Sequence, residues 1–396
     1  MGIVFDKESC TVCGECLHQC PVMKLPLEVA KDEMTSLLAG QNTRYVLQRC
    51  ESCFACNSIC PEGLNPADLI LERWHEKYEQ EGLPQKARYF MPHSRVNFRS
   101  HVINRIPEDE KALLRAWDDA SPCEEIFYPG CNWLTVPYLS RTSLMDGMNI
   151  RGCLDLCCGE MYYRMGHFDE LEQVAKKLSN HFQKMGIRKM IIPCTAGFNM
   201  FNNVLPEYGA KFDFEVLHFL PIILDKILSG EIVVKNRLDM RVTIQESCHA
   251  KCVGEEFLDI PRKILNLIGC NVIEQDPCRD KALCCGIGGG FSHFSAYDPI
   301  HMMRSTITTL RNARKTRAQA MATYCAGCMQ MLAVGQIYYP LGWMPVYHIL
   351  ELVQLAIGEK PQRLYRKRAW QMLAGTLRNQ LPDMVSRKRF HVKDIA

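Results

Sequence analysis

The chain has 396 residues, of which 47% are hydrophobic, and a formal net charge of +3. A chain of this length suggests about two or three domains, and so small a net charge gives no indication of nucleic-acid binding. No run of about eighteen apolar residues occurs, and the first residues do not resemble a secretory signal, so we expect a cytoplasmic protein without a transmembrane segment. The 22 cysteines then indicate metal ligation in a reducing compartment rather than a disulfide scaffold.

Two identical cysteine runs lie near the N-terminus. The spacing C-x2-C-x2-C-x3-C-P extends from Cys10 to Pro21 and again from Cys50 to Pro61. Such runs hold two [4Fe–4S] cubanes, because each run gives three thiolates to one cluster and its fourth to the other. The predicted ligands are Cys10, Cys13, Cys16 and Cys60 for one cubane, and Cys50, Cys53, Cys56 and Cys20 for the other. Neither zinc binding nor disulfide bonding predicts this doubled spacing, so the sequence indicates a protein that moves electrons.

The organisation of the chain changes after residue 120. Residues 1–120 are predicted to form a helical domain around the two cubanes, with a helix over 67–79. An internal repeat follows, with a first copy at 121–235 and a second at 236–358. Strands are predicted at 125–128, 190–193, 241–245, 271–274 and 321–324, and long helices at about 169–185, 259–269 and 299–317.

The alternation of strands and helices predicts two open, mostly parallel sheets. The expected fold class is α+β multidomain, with an α-helical two-cluster ferredoxin domain followed by two repeated α/β domains. Several cysteines come just after predicted strands, at the edge where parallel sheets place their ligands.

Five cysteines of the second copy are expected to converge at that edge, and they are Cys248, Cys284, Cys285, Cys325 and Cys328. Adjacent cysteines cannot easily bind one iron, but they can reach two irons of an extended cluster. A glycine-rich turn follows, in which Gly286, Gly288 and Gly289 are predicted to bring backbone N–H groups close to the cluster sulfides. A reactive dithiol or structural thiols are the alternative for these cysteines, whereas the motif of a phosphate-binding loop, with its lysine, is not present.

This order of motifs resembles the cysteine-rich CCG-domain family, whose pattern C-x(n)-C-C-G-x(m)-C-x-x-C occurs twice. The family includes the catalytic subunits of heterodisulfide reductase and the iron–sulfur subunits of glycolate oxidase and anaerobic glycerol-3-phosphate dehydrogenase. The resemblance covers about residues 1–355. It implies that the five cysteines hold a noncubane [4Fe–4S] cluster.

The first copy departs from the family pattern. It contains Cys131, Cys157, Cys158 and Cys194, but Gly197 stands where the last cysteine should be. Enzymes of the family that split a heterodisulfide between two noncubane clusters need both copies complete. We favour a scaffold or partner-binding role for this copy, although four thiolates can hold a cubane.

Two further features have alternative interpretations. His249, beside Cys248, is a candidate catalytic proton donor, and the alternative is a hydrogen bond to a ligand sulfur. Residues 359–396 form a basic tail with ten Lys or Arg against three acidic residues, and its apolar residues have near-helical spacing. The tail is predicted either to contact a membrane surface or an acidic partner, or to form a solvated helix that packs on the body.

The predicted function is an iron–sulfur electron-transfer subunit of a larger anaerobic redox complex, similar to heterodisulfide reductase. One alternative is a catalytic thiol–disulfide reductase, which an apolar tunnel to Cys284 and Cys285 would favour. Another is a respiratory dehydrogenase subunit that feeds quinone, and a weaker one is a regulatory scaffold. Since no dinucleotide fingerprint occurs, we expect no flavin or NAD in this chain and a flavoprotein or membrane quinone-linked protein as partner.

Overall fold

The structure is a computed structural model that describes residues 4–292 and 297–394. Its helices as far as residue 117 are α1 (Glu15–His18), α2 (Leu27–Leu38), α3 (Val46–Arg49), α4 (Ala55–Ile59), α5 (Pro66–Glu81), α6 (Phe98–Ile103) and α7 (Glu108–Trp117). Those that follow are α8 (Glu160–Met165), α9 (Asp169–Met185), α10 (Thr195–Asn199), α11 (Leu205–Glu207), α12 (Phe219–Leu228), α13 (Ala250–Val253), α14 (Glu255–Leu267), α15 (Pro299–Lys315), α16 (Ala326–Tyr338), α17 (Ile349–Ala356) and α18 (Tyr365–Met384). The strands are β1 (Leu83–Pro84), β2 (Glu125–Phe127), β3 (Lys189–Ile192), β4 (Glu215–His218), β5 (Arg241–Gln245), β6 (Asn271–Val272), β7 (Ala320–Thr323), β8 (Val346–His348) and β9 (Arg389–Phe390).

The N-terminal region is built around α5, the helix predicted at 67–79. Pro66 occupies its first turn, where a missing N–H costs nothing, and Gly82 ends it with a φ of 67°. One face of α5 is buried, and Trp74 on that face donates a hydrogen bond to the Leu47 carbonyl at 3.0 Å. This helix therefore supports the short helices that carry the cysteine runs.

Two separate parallel sheets follow, which confirms the predicted fold class. The first has the strand order β2-β3-β4 and the second has the order β6-β5-β7-β8. The central strands β3 and β7 are almost wholly buried, as expected for strands covered by helices on both faces. The domain boundaries inferred from the sequence stay a prediction.

Helix α14 begins earlier than the sequence suggested. The prediction placed its start near Asp259 because of Pro261, but the helix starts at Glu255 and contains Pro261 in its interior. Gly254, with a φ of 123°, makes the turn into the helix, and Glu255 and Glu256 place negative charge at its N-terminus. The apolar periodicity of the segment thus outweighs the cost of one proline.

The basic tail folds back on the body as α18. It packs on α6 and α16, and β9 pairs antiparallel with β1. A buried ion pair joins Arg368 of α18 to Glu110 of α7. The apolar residues Trp370, Leu377 and Leu381, which have near-helical spacing, are nevertheless 58%, 50% and 59% exposed.

Within the described residues, no helix has the length and apolar character needed to cross a bilayer.

Candidate iron–sulfur centres

The two cysteine runs share one backbone conformation. Val12 and Ser52, each just before the second cysteine of its run, have φ values of 53° and 42°. Gly14 and Phe54, each just after that cysteine, have φ values of 77° and 61° and begin α1 and α4. Left-handed conformations at a valine, a serine and a phenylalanine cost energy, and such strain concentrates at functional sites.

The thiols of Cys10, Cys13, Cys16 and Cys60, here called the first ferredoxin set, lie together. The pKa of Cys16 is raised to about 12, first by burial and then by the thiols of Cys60, Cys13 and Cys10. Cys60 directly follows α4 of the other run, where its N–H donates to the Cys56 carbonyl at 3.1 Å. The structure thus brings together the four residues that the sequence assigned to one cubane.

The thiols of Cys50, Cys53, Cys56 and Cys20 form the second ferredoxin set. The pKa of Cys56 is raised well above its ordinary value, first by burial and then by the thiols of Cys50, Cys16, Cys53 and Cys20. Cys50 also accepts a hydrogen bond from the Ser52 N–H at 3.3 Å. Since Cys16 belongs to the first ferredoxin set, the two sets are neighbours.

The donor chemistry of both ferredoxin sets fits cubane clusters. Buried thiols that crowd together resist ionisation, and bound iron supplies the positive charge that compensates them. A [4Fe–4S] cubane takes one thiolate on each iron, which matches groups of four. Among the described residues, no three His, Cys, Asp or Glu donors surround a single point as the ligands of one metal ion do.

The five cysteines of the second repeat, here called the five-cysteine set, also lie together. Cys248 and Cys325 follow the carboxyl ends of β5 and β7, which are adjacent in the sheet. Thiol–thiol contacts join the set in the order Cys248, Cys284, Cys285, Cys328 and Cys325. The pKa of Cys285 is lowered to about 6 by its contacts with Cys284 and Cys328, which favours the thiolate form that binds metal.

The glycine-rich turn after Cys285 has two roles. The Gly288 N–H donates to the Cys284 sulfur at 3.4 Å, while an approach of the turn to the sulfides of a bound cluster stays a prediction. A Cβ on Gly286 or Gly289 would collide with α15, and a Cβ on Gly288 would collide with the Glu51 carbonyl oxygen. The glycines therefore also allow the turn to pack directly against the second cysteine run.

In the first repeat, Cys131, Cys157, Cys158 and Cys194 form the four-cysteine set. Cys157 contacts the thiols of both Cys131 and Cys158. The pKa of Cys194 is raised by burial first and then by Cys325, ahead of Cys131. The four-cysteine set therefore borders the five-cysteine set, with Cys194 and Cys325 at the boundary.

Gly197 lies in the first turn of α10, at the position that Cys328 occupies in α16. Its φ is not in the left-handed region, so the backbone does not require glycine here. A Cβ at this position would meet Ile192 Cγ2 at 3.3 Å and the Cys194 Cβ at 3.8 Å. A small side chain can be accommodated with a slight shift of Ile192.

A buried network that the sequence did not predict connects the centres. Arg164 donates to Glu160 Oε1 at 2.6 Å, to the Ser52 carbonyl at 2.9 Å and to the Cys248 sulfur at 3.3 Å. It belongs to the first repeat, yet it joins the second ferredoxin set to the five-cysteine set. The available signal was the pair Glu160 and Arg164, four residues apart on a helix that starts directly after Cys157-Cys158-Gly159.

His249 belongs to the same network, and its hydrogen bonds among the described residues go to Glu160 and Asn199 rather than to a ligand sulfur, which was the alternative inferred from the sequence. Its Nε2 lies 2.9 Å from Glu160 Oε1, and its Nδ1 lies 3.2 Å from Asn199 Nδ2. Since the amide NH2 of Asn199 can only donate, Nδ1 accepts and Nε2 carries the proton that bonds Glu160. Arg164 and His249 hold the pKa of Glu160 well below its usual range, against the effect of burial.

Two other buried cations approach the cysteine sets. Lys251 donates to the carbonyls of Cys53 and Ala282 at 3.1 and 2.6 Å, which gives a second link between the ferredoxin run and the second repeat. Arg99, from α6, donates to Asn132 Oδ1 at 3.1 Å. Burial lowers the pKa of Arg99, but the nearby Cys131 and Cys157 thiols raise it overall.

An apolar cavity of about 200 Å³ lies beside the five-cysteine set. Its wall includes Ile287, two residues after Cys285, and Gly327, between Cys325 and Cys328. Met372 and Leu373 of α18 form another part of the wall. The sequence could not predict this cavity, because the tail that closes it is remote along the chain.

Comparisons with known proteins agree with this arrangement. Residues 2–61 match the family described as a 4Fe-4S dicluster domain, and residues 144–202 and 242–333 match the family described as a cysteine-rich domain (CCG). The first match contains both cysteine runs, and the last contains the whole five-cysteine set.

Curated relatives with similar sequences are redox proteins. One subunit of the dihydromethanophenazine:CoB–CoM heterodisulfide reductase of Methanosarcina mazei is 22% identical, over 90% of this chain and 95% of the relative. The EtfAB:quinone oxidoreductase of Syntrophomonas wolfei is 22% identical, over 84% of this chain and 55% of the relative. One subunit of the CoM/CoB fumarate reductase of Methanothermobacter marburgensis is 25% identical, over 88% of this chain and 72% of the relative.

The cysteine runs, the paired parallel sheets and these matches lead to one conclusion. The chain carries a 4Fe-4S dicluster domain ahead of two matches to the cysteine-rich (CCG) domain, and it is an iron–sulfur electron-transfer protein similar to a heterodisulfide reductase subunit.

Proposed function

We propose that this chain is the iron–sulfur subunit of a larger anaerobic redox complex, in which two [4Fe–4S] cubanes exchange electrons with a noncubane [4Fe–4S] cluster. The observation that carries the proposal is Arg164, which donates both to the Ser52 carbonyl of the second cysteine run and to the Cys248 sulfur. One buried side chain therefore touches the binding sites of two centres. Bound clusters would supply one-electron transfer along this line.

The order of the thiol sets supports a linear path. The first ferredoxin set borders the second through Cys16 and Cys56. The second borders the five-cysteine set, because Cys252 lies near both Cys248 and Cys53. In this arrangement the protein holds the centres in sequence, and the buried side chain of Arg164 lies between the last two.

We propose the ligand sets as the sequence assigned them. Each ferredoxin set takes one cubane, and the five-cysteine set takes the noncubane cluster. We assign to the four-cysteine set a scaffold or partner-binding role, because Gly197 leaves it without the last thiol of the family pattern.

The partner would be another redox protein, such as a flavoprotein or a membrane quinone-linked protein. Relatives named as subunits of a heterodisulfide reductase and a fumarate reductase support such a complex. The basic tail supports a peripheral membrane contact of a cytoplasmic protein, since Trp370, Leu377 and Leu381 project from α18 beside exposed Arg366 and Arg378.

A second candidate function is thiol–disulfide reduction at the noncubane cluster, where two electrons and two protons convert a disulfide to two thiols. The apolar cavity beside Ile287 and Gly327 favours it, because an apolar approach to Cys284 and Cys285 suits a bound substrate. His249 stays a candidate proton donor in that reaction.

Iron and acid-labile sulfide per chain, measured on protein purified without oxygen, test the proposal. We expect about 12 irons, the content of three [4Fe–4S] clusters. Cys248→Ser should lower the count to about 8, whereas Cys270→Ser, at a buried cysteine outside the sets, should not change it. A wild-type content of about 8 after full reconstitution would remove the five-cysteine set from the proposed path.

Vesicle binding tests the membrane contact. Wild-type protein should sediment with phosphatidylglycerol-containing vesicles, and Trp370→Ala should weaken this binding because it removes an exposed apolar side chain. Leu341→Ala is the matched control, since Leu341 is 80% exposed but lies outside the basic tail. Equal weakening by both variants would contradict a specific role of α18.

A further inference from the structure

The cavity beside the five-cysteine set has a composition that restricts its occupant. Its described wall consists of aromatic, aliphatic and methionine side chains with a few uncharged polar ones, and it contains no charged side chain. Met302, Met303, Met331 and Met372 form part of the wall, and flexible thioethers adapt to ligands of different shape. A cavity of about 200 Å³ has room for a small ring system rather than for a long coenzyme.

Three wall residues have a buried polar atom without a hydrogen-bond partner among the described residues, and they are Gln330, Tyr297 and Tyr338. Gln330 is only 1% exposed, and its Nε2 donates to the Thr135 hydroxyl and to the Asn132 carbonyl. Its Oε1 has no hydrogen-bond partner among the described residues. A buried acceptor left unpaired is costly, so a ligand that carries an O–H group would be stabilised here.

The surroundings of the cavity are also apolar. Leu377 of α18 lines it and is 50% exposed, and Met303 of α15 lines it and is 37% exposed. Exposed Ile300, Trp370 and Leu381 lie on the same two helices. A ligand that approaches along these side chains need not be soluble in water.

We propose that this cavity binds a quinol-class molecule, a flat apolar ring with hydroxyl groups, with one hydroxyl donating to Gln330 Oε1. The inference rests on the proposed function, since it places a two-electron carrier beside the five-cysteine set. A disulfide group offers no hydrogen-bond donor to Gln330, and a coenzyme with phosphates or carboxylates finds no cation in the described wall.

The test compares two probes on iron-loaded protein kept without oxygen, with dithionite present so that the quinol stays reduced. Menadiol carries two hydroxyl groups, and methylnaphthalene has the same ring system without them. Calorimetric titration should show saturable binding of both probes to the wild type, with menadiol the tighter ligand.

Variants distinguish the contribution of the Gln330 hydrogen bond to menadiol binding from the contribution of the cavity volume. Gln330→Met should weaken menadiol binding roughly tenfold and leave methylnaphthalene binding unchanged, because it removes the acceptor but keeps the volume. Thr376→Phe, at a half-buried wall position of α18, should abolish binding of both probes by filling the space. Leu341→Ala, outside the wall, should affect neither probe.

Three results would overturn the inference: no saturable menadiol binding, equal weakening of both probes in Gln330→Met, or tighter binding of diphenyl disulfide than of menadiol. The iron content of the same samples keeps the two proposals distinguishable. Full iron without menadiol binding rejects the quinol site alone, whereas menadiol binding by protein that lacks the iron of the five-cysteine set rejects the proposed electron path.

Discussion

Each repeat forms a parallel sheet, with three described strands in the first and four in the second, and the two repeats differ in what they supply to the centres. The second repeat has all five cysteines of the family pattern, and the first has four with Gly197 in place of the last. The first repeat nevertheless provides Arg164, which contacts the Cys248 sulfur of the second. An incomplete repeat can therefore contribute to a neighbouring centre through charged side chains.

A second difference lies where each repeat turns from its last strand into the next helix. His218 and His348 both accept a backbone N–H through Nδ1, at 3.1 and 3.4 Å. Three residues later, the second repeat has Glu351, which accepts from the His348 N–H at 2.9 Å, whereas the first repeat has Pro221. Only the second repeat thus buries a carboxyl group at this position.

The largest expected contrast comes from removing one cysteine in each repeat. Cys284→Ser should lower the iron content from about 12 to about 8 per chain, because the five-cysteine set loses a central thiol. Cys157→Ser, at the matching position of the four-cysteine set, should leave the iron content unchanged. Iron and sulfide analysis measures both, and an equal loss from the two variants would show that the first repeat also holds a cluster.

The opposite change should make the repeats alike. Gly197→Cys adds the missing thiol beside Cys194, and a slight shift of Ile192 makes room for its Cβ. We expect about four additional irons per chain after anaerobic reconstitution. Gly197→Ala, which adds the Cβ without the thiol, is the control, and an unchanged iron content in Gly197→Cys would show that more than one thiol separates the repeats.

Arg164→Met should change the reduction potential of the centre at the five-cysteine set. The Arg164 guanidinium is positively charged and donates a hydrogen bond to a ligand sulfur. Its removal favours the oxidised cluster, so the reduction potential should fall by on the order of 60 mV. Arg164→Lys should restore part of the shift. A redox titration followed by electron paramagnetic resonance measures this potential. Arg99→Met, which removes a cation at the four-cysteine set, is the matched control. An equal shift of the potential in Arg99→Met would contradict a local effect of Arg164.

Glu351 should make stability depend on pH. Burial raises its pKa from an ordinary value of 4.5 to about 7, so between these pH values the folded state binds more protons than the unfolded state. The free energy of unfolding should therefore fall as the pH rises through this range, by up to about 3 kcal/mol, and Glu351→Gln should remove the fall.

Thermal unfolding midpoints of the wild type and of Glu351→Gln, measured from pH 4.5 to 7.5 without oxygen, test this dependence. Asp225→Asn, at an exposed carboxylate in the corresponding helix of the first repeat, is the control and should not alter the slope. Parallel pH profiles of the wild type and of Glu351→Gln would contradict the prediction.

Much of this protein was determined by local sequence. The spacing of the cysteine runs predicted both ferredoxin sets, and the structure brings these thiols together. The helix at 169–185 and the strand at 241–245 match their predicted bounds, because amphipathic periodicity and a flanking Gly186 act over short distances. The predicted start of α14 was wrong, because the prediction gave a single proline more weight than the apolar pattern around it.

The tertiary structure alone decided how the centres are connected and what surrounds them. Arg164, Lys251 and α18 reach their partners across long sequence separations, and no local periodicity encodes such contacts. The contacts of His249 with Glu160 and Asn199 and the cavity closed by α18 have the same origin. The sequence determined which thiols can bind iron, because ligand spacing is local, whereas the arrangement of charges and space around them results from the packing of distant elements.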